Sequence, residues 1–129
     1  MTWELYFDRF RNMEEKNALV ALGALAQETR LELFRLLIQF APNGLPAGEI
    51  AERLGVPAPT LSFHLKELSR AGLVEFRSEG RFVIYRARVD ALQELIGFLT
   101  DNCCQGAPQQ CVPVAVGVSV SPSRKRAVR

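Results

Sequence analysis

Three residues of this 129-residue chain could ligate a soft ion and lie close together: Cys103, Cys104 and Cys111, spaced Cys-Cys-x6-Cys. Thiolates select soft metals and metalloids. A structural zinc site asks for four ligands, whereas the chain offers three cysteines and a single histidine, His64. A three-coordinate, pyramidal ion such as trivalent arsenic or antimony needs no fourth partner. Neighbouring side chains on an intact helix diverge by about 100°, so Cys103 and Cys104 can share one ion only where a helix ends. Gly106 and Pro108 then let the chain fold back and bring Cys111 in. A ligand that needs two thiolates, such as methylated trivalent arsenic, would use Cys103 and Cys104 alone. The odd count excludes a fully paired disulfide framework within one chain. A thiol–disulfide redox switch and incidental buried cysteines remain as alternatives, and the spacing does not decide between a site within one chain and one shared by two.

A second constellation lies between Ala47 and Arg88. Leu61, Leu65 and Leu68 repeat at helical spacing and predict an inward stripe. Counted from that stripe, Ser62, Phe63, Lys66 and Arg70 point outward, with Thr60 and His64 toward the flanks. Lys and Arg neutralise phosphate, hydroxyls donate to phosphate or base edges, and an exposed Phe can rest on a thymine methyl. Arg77 and Arg81 bracket a hairpin tip that could lie along an adjacent groove. The plainer reading is an ordinary solvated helix, with His64 a partly buried hydrogen-bonding residue. Two helices, hairpin and basic tip together favour a DNA-reading surface.

The elements that must hold these residues follow from periodicity and punctuation. Trp3, Tyr6, Phe7 and Phe10 draw one helical stripe, and a helix continues from Glu14 to Ala26 with Ala18, Leu19, Leu22 and Leu25 apolar. The aromatic stripe fits either this chain's own core or a subunit interface, because a small domain has limited core to cover it. A second helix spans Gln27 to Phe40, with Leu31, Phe34, Leu37 and Ile38 expected inside, and Ala41-Pro42-Asn43-Gly44 stops it. A third begins with Pro46 in its first turn and runs to Leu54, and a fourth runs from Pro57 to Ala71 with Gly72 as its left-handed end. Strands Leu73 to Arg77 and Phe82 to Arg88 flank the turn Ser78-Glu79-Gly80-Arg81. Asp90 is expected to cap a last helix from Ala91 to Asn102, with Leu92, Leu95, Ile96 and Leu99 as its apolar stripe. Beyond it, Val112 to Val120 alternates weakly. The reading is mainly α, in the order α-α-α-α-β-β-α, with residues 1–102 as one domain and 103–129 as a cysteine-bearing tail.

Charge is uneven. The net +2 is made of −2 over residues 1–53, zero over 54–101, and +4 over 102–129, where Arg124, Lys125, Arg126 and Arg129 face no acid. A basic face in the body must therefore come from geometry, not composition. No apolar run reaches the roughly 18 residues of a membrane span, and the first residues lack a basic n-region. A soluble, cytoplasmic protein without membrane partners is expected. Nucleophilic catalysis has little support: His64 is assigned to the DNA face, and there is neither a phosphate-cradling glycine loop nor a pair of acids in an obvious cleft.

Residues 14–102 resemble the ArsR/SmtB family of metal- and metalloid-responsive winged helix-turn-helix repressors. The resemblance is carried by Leu25-Ala26-Gln27-Glu28-Thr29-Arg30-Leu31, by Leu61-Ser62-Phe63-His64-Leu65-Lys66-Glu67-Leu68, and by Ala71-Gly72-Leu73-Val74. It implies a homodimer held by the first and last helices, here through Leu19, Leu22, Leu92, Leu95 and Leu99 together with the N-terminal aromatics. It further implies binding to an inverted-repeat operator in double-stranded DNA, and an inducer that weakens that binding. Two of the family's sensing sites are missing. The stretch Pro46 to Leu54 has no cysteine, and the last helix has Asp90 and Glu94 but no histidine. The remaining Cys103, Cys104 and Cys111 look like the C-terminal three-cysteine site of an arsenite-sensing branch. The expectation is a repressor, not an enzyme, with trivalent arsenic or antimony as inducer and no organic cofactor.

Overall fold

A computed structural model of the chain describes residues 14–106. Trp3, Tyr6, Phe7, Phe10 and Cys111, and the weakly alternating stretch 112–120, lie outside the described residues. The backbone divides into two units between Leu99 and Thr100.

Five helices and three short strands make up the described part of the first unit. Helix α1 spans Glu15–Leu25, α2 Glu28–Gln39, β1 Leu45–Pro46, α3 Ala47–Leu54, α4 Ala58–Arg70, β2 Val74–Glu79, β3 Phe82–Ala87 and α5 Val89–Leu99. This is a mainly helical winged helix-turn-helix, in which α3 and α4 form the helix pair and the β2–β3 hairpin forms the wing. Gln27 caps α2 by accepting a hydrogen bond from the Arg30 amide at 2.8 Å. Gly55, at φ 66°, closes α3 in the left-handed conformation and leads directly into the turn before α4.

One core runs through all the helices. Ala18 and Ala21 of α1, Leu33, Phe34 and Leu37 of α2, Ile50 of α3, Leu61, Leu65 and Leu68 of α4, and Ala91 and Leu95 of α5 are buried together. The α4 stripe thus packs on Ile50, with Leu54 half-buried beside it, as its spacing predicts.

Several expectations are corrected. Leu31 is exposed, at 45%, and Leu33 takes the buried place. Every residue of α2 from Leu36 to Ile38 is apolar, so periodicity alone does not fix the phase, and packing against α1 and α4 does. Pro46 is not in the first turn of α3. It pairs as β1 with Ile84, while Leu45 pairs with Tyr85, giving a three-stranded antiparallel sheet ordered β1-β3-β2. A proline is tolerated there because an edge strand can spare an N–H. The last helix begins at Val89, one residue before Asp90, and ends at Leu99. Asp90 therefore sits in its first turn, where Arg88 donates to it at 2.8 Å and holds its carboxyl below the usual range. Leu95, expected at a subunit interface, is buried in the core of its own chain.

Candidate nucleic-acid interface

Helix α4 turns one face to the core and the other to solvent. Thr60, Ser62, Phe63, Lys66 and Arg70 are all exposed, Phe63 to 55%. Among the described residues no side chain caps the α4 N-terminus, and the N-terminal end of a helix dipole favours an anion. Arg70 pairs with Glu67 at 3.4 Å on the surface. Such exposed pairs are worth about 0–1 kcal/mol, so a phosphate can displace the carboxylate at little cost. Lys66 enters no ion pair among the described residues.

The wing presents a second basic point. Strands β2 and β3 pair in register from Val74 opposite Ala87 to Glu79 opposite Phe82. Only Gly80 and Arg81 join them, with Gly80 at φ 63° in the first turn position, where a tight hairpin turn of type II′ needs it. Arg81 is exposed at the tip, beside Phe82 at 59% exposure. Arg77 donates to Glu79 at 3.0 Å and to the Asn43 carbonyl at 3.2 Å, which ties the wing to the loop after α2. Arg86 pairs with Glu75 across the strands. The hairpin is thus a braced ribbon whose tip arginine enters no ion pair among the described residues.

His64 is not on this surface. It is 8% exposed, and its Nδ1 lies 3.3 Å from a guanidinium nitrogen of Arg30. Arginine has donors only, so in this contact Nδ1 takes the acceptor role, which suits the neutral ring with its proton on Nε2. Burial and the Arg30 charge both lower the imidazole pKa, while Glu67 raises it. The ring also meets Phe63 edge-on, with centroids 5.5 Å apart. Sequence reasoning assigned no role to Arg30, although it stands in the Gln27–Arg30 stretch that carries the family resemblance.

In the second unit the chain is no longer α-helical at the cysteines. Asn102, Cys104 and Gln105 have φ of 62°, 54° and 56° within or beside a single turn of 3-10 helix, Cys103–Gly106. Cys103 is half-buried and Cys104 exposed. The α-helix has therefore ended before the cysteine pair. Among the described residues no group of three His, Cys, Asp or Glu is placed to hold a metal ion. Nor, among them, is any helix long and apolar enough to cross a membrane.

Comparison with known proteins gives the same picture. A helix-turn-helix domain family matches residues 25–76. The transcriptional activator HlyU of Vibrio cholerae is 37% identical over 94 residues, which span 70% of this chain and 84% of HlyU. A solved HlyU structure matches with a TM-score of 0.56, over 71% of this chain and 99% of that one. An ArsR-like transcriptional regulator from Rhodococcus sp. RHA1 matches with a TM-score of 0.57 at 27% identity, over 82% of this chain and 94% of that one. The homodimeric winged helix-turn-helix DNA-binding domain Mb0332 of Mycobacterium bovis matches at 30% identity with a TM-score of 0.54, over 69% of this chain and 82% of that one. These relatives are regulators of transcription, not enzymes. With its exposed reading helix, its braced wing and a relative covered over 84% of its length, the chain belongs to the ArsR-like winged-helix transcriptional regulators.

Proposed function

We propose that the protein is a homodimeric repressor that binds an inverted-repeat operator and leaves it when trivalent arsenic or antimony binds the C-terminal thiolates. The observation that carries the sensing half is the cysteine pair at 103–104, set in a turn of 3-10 helix after the end of α5, with Cys104 in left-handed backbone. Three thiolates match the ligand number of a pyramidal ion, and soft sulfur matches its preference. On the DNA side, Thr60, Ser62, Phe63, Lys66 and Arg70 of α4 enter the major groove, and Arg77 and Arg81 carry the wing along the backbone. Exposed Leu19 and Leu22 of α1 and Leu99 of α5, with half-buried Leu92, form the apolar face by which a second copy associates. The homodimeric state of the Mycobacterium bovis domain supports that assembly. Two copies would set their reading helices about one helical turn, roughly 34 Å, apart.

Titration of the reduced protein with arsenite, followed by thiolate-to-arsenic charge-transfer absorption, tests the sensing site. One arsenic per three thiols is expected, with the signal lost in Cys103→Ser and in Cys104→Ser. Retention of full arsenite affinity in Cys111→Ser would instead indicate a two-thiolate site, suited to methylated trivalent arsenic. Saturation by arsenite with all three cysteines replaced would contradict the proposal.

A further inference from the structure

We propose that Arg30 is a positioning residue for DNA binding: through His64 it holds the reading helix in its binding orientation, and a proton on His64 releases that hold. The proposal rests on the reading of α4 as the DNA-contacting helix. Arg30 sits at the junction of three elements. Its Nε donates to the Ala24 carbonyl at the end of α1 at 2.7 Å, its own amide is capped by Gln27, and its terminal nitrogen meets His64 Nδ1 on α4 at 3.3 Å. His64 in turn backs Phe63, an exposed aromatic of the reading face. One guanidinium thus ties the α1–α2 corner to the ring behind a side chain placed to meet DNA.

The chemistry of the pair makes this link proton-sensitive. Protonated, Nδ1 becomes a donor facing another donor, and two positive charges stand side by side in a part-buried site. The hydrogen bond is lost and repulsion takes its place. Of the charged groups on α1, α2, α3 and β2, the elements packed against α4, Arg30 is the one that acts on the ring, and it disfavours the proton. Glu67, on α4 itself, opposes it but is engaged with Arg70 at the surface. His64 is the only histidine in the chain, so one imidazole accounts for any histidine-linked titration.

The experiment uses the full-length reduced protein and a duplex selected by it from a random-sequence library at about pH 7.5. The ring proton signals of His64 are followed by NMR across pH, and duplex affinity is measured over the same range. The ring midpoint is expected below the ordinary imidazole value. Affinity is expected to fall on acidification through that midpoint, by up to about tenfold per pH unit per protomer. In Arg30→Gln, which keeps a donor but loses the charge, both midpoints should rise together. In His64→Asn, whose Oδ1 can accept from Arg30 but cannot be protonated, the pH dependence should vanish whatever the affinity at neutral pH. The proposal is overturned if wild-type affinity is flat or rises on acidification, if His64→Asn keeps the wild-type pH dependence, or if Arg30→Gln moves neither midpoint. Failure to select any duplex would contradict the DNA-binding reading itself, while the ring titration would still report on the Arg30–His64 contact.

Discussion

Among the described residues, Lys66 and Arg81 are the two cations of the reading surface not already engaged by a carboxylate, and they should do the same work. Each would neutralise a phosphate, a contact that adds affinity without reading sequence. Lys66→Ala and Arg81→Ala are expected to weaken all duplexes alike and to reduce the salt slope of binding by about one per protomer. Ser62 and Phe63 lie on the same face but can meet base edges. Phe63→Ala should therefore cost about 1–3 kcal/mol on the selected duplex and less on unrelated ones. Salt-dependent titrations with both kinds of DNA separate the two classes. A loss in Lys66→Ala confined to the selected sequence would reassign that side chain to base reading. His64 shows why residue type alone misassigned one member of the set. Lysine, serine and an exposed phenylalanine announce a surface, but imidazole is equally at home under it, and only the position of Arg30 reveals which way the ring is turned.

At the scale of elements, the wing depends on a close approach at its base. Gly44, at φ 89°, lies so near the Tyr85 backbone that a Cβ would collide with the Tyr85 carbonyl oxygen and approach Arg86 Cβ at 2.9 Å. Gly44→Ala is expected to destabilise the fold by about 1–3 kcal/mol or more, through both left-handed strain and overpacking, as measured by urea denaturation. An unchanged midpoint would mean that the β1–β3 seam relaxes freely. This seam is also where the sequence was least legible. Two residues, one of them proline, carry no period of two, so nothing announced a third strand. The long elements were legible because their signals are redundant: the α4 leucine stripe, the Gly55 and Gly72 helix ends and the Gly80 turn all agree on one arrangement. The phase of α2 was not, because a helix apolar on most sides can bury Leu31 or Leu33, and only neighbours choose. The cysteine pair was readable as lying past a helix end from Gly106 and Pro108, although α5 stops three residues sooner than its composition suggests.

For the whole molecule, the exposed leucines of α1 and α5 and the charge balance belong together. A chain whose net charge is +2, with its excess in residues 102–129, has little long-range attraction for DNA in its body. In the proposed function, two copies reading two half-sites would supply by geometry what charge does not. Leu19 is 62% exposed in the single chain, so Leu19→Asp should leave the helical signal and the monomer fold intact. It should shift sedimentation from dimer to monomer and abolish tight operator binding. A monomeric variant with undiminished affinity would show that association is not needed for recognition.

In the proposed function, sensing would travel from the thiolates to the spacing of the two reading helices. A coupling of about 1–3 kcal/mol corresponds to a 5- to 150-fold change in DNA affinity. The most direct measurement is the affinity of the reduced protein for a selected duplex, with and without saturating arsenite, in wild type and in the Cys103→Ser, Cys104→Ser double variant. The wild-type protein is expected to be released within that range and the double variant not at all. Wild-type affinity indifferent to arsenite, or release that survives loss of both cysteines, would rule out sensing at these thiolates.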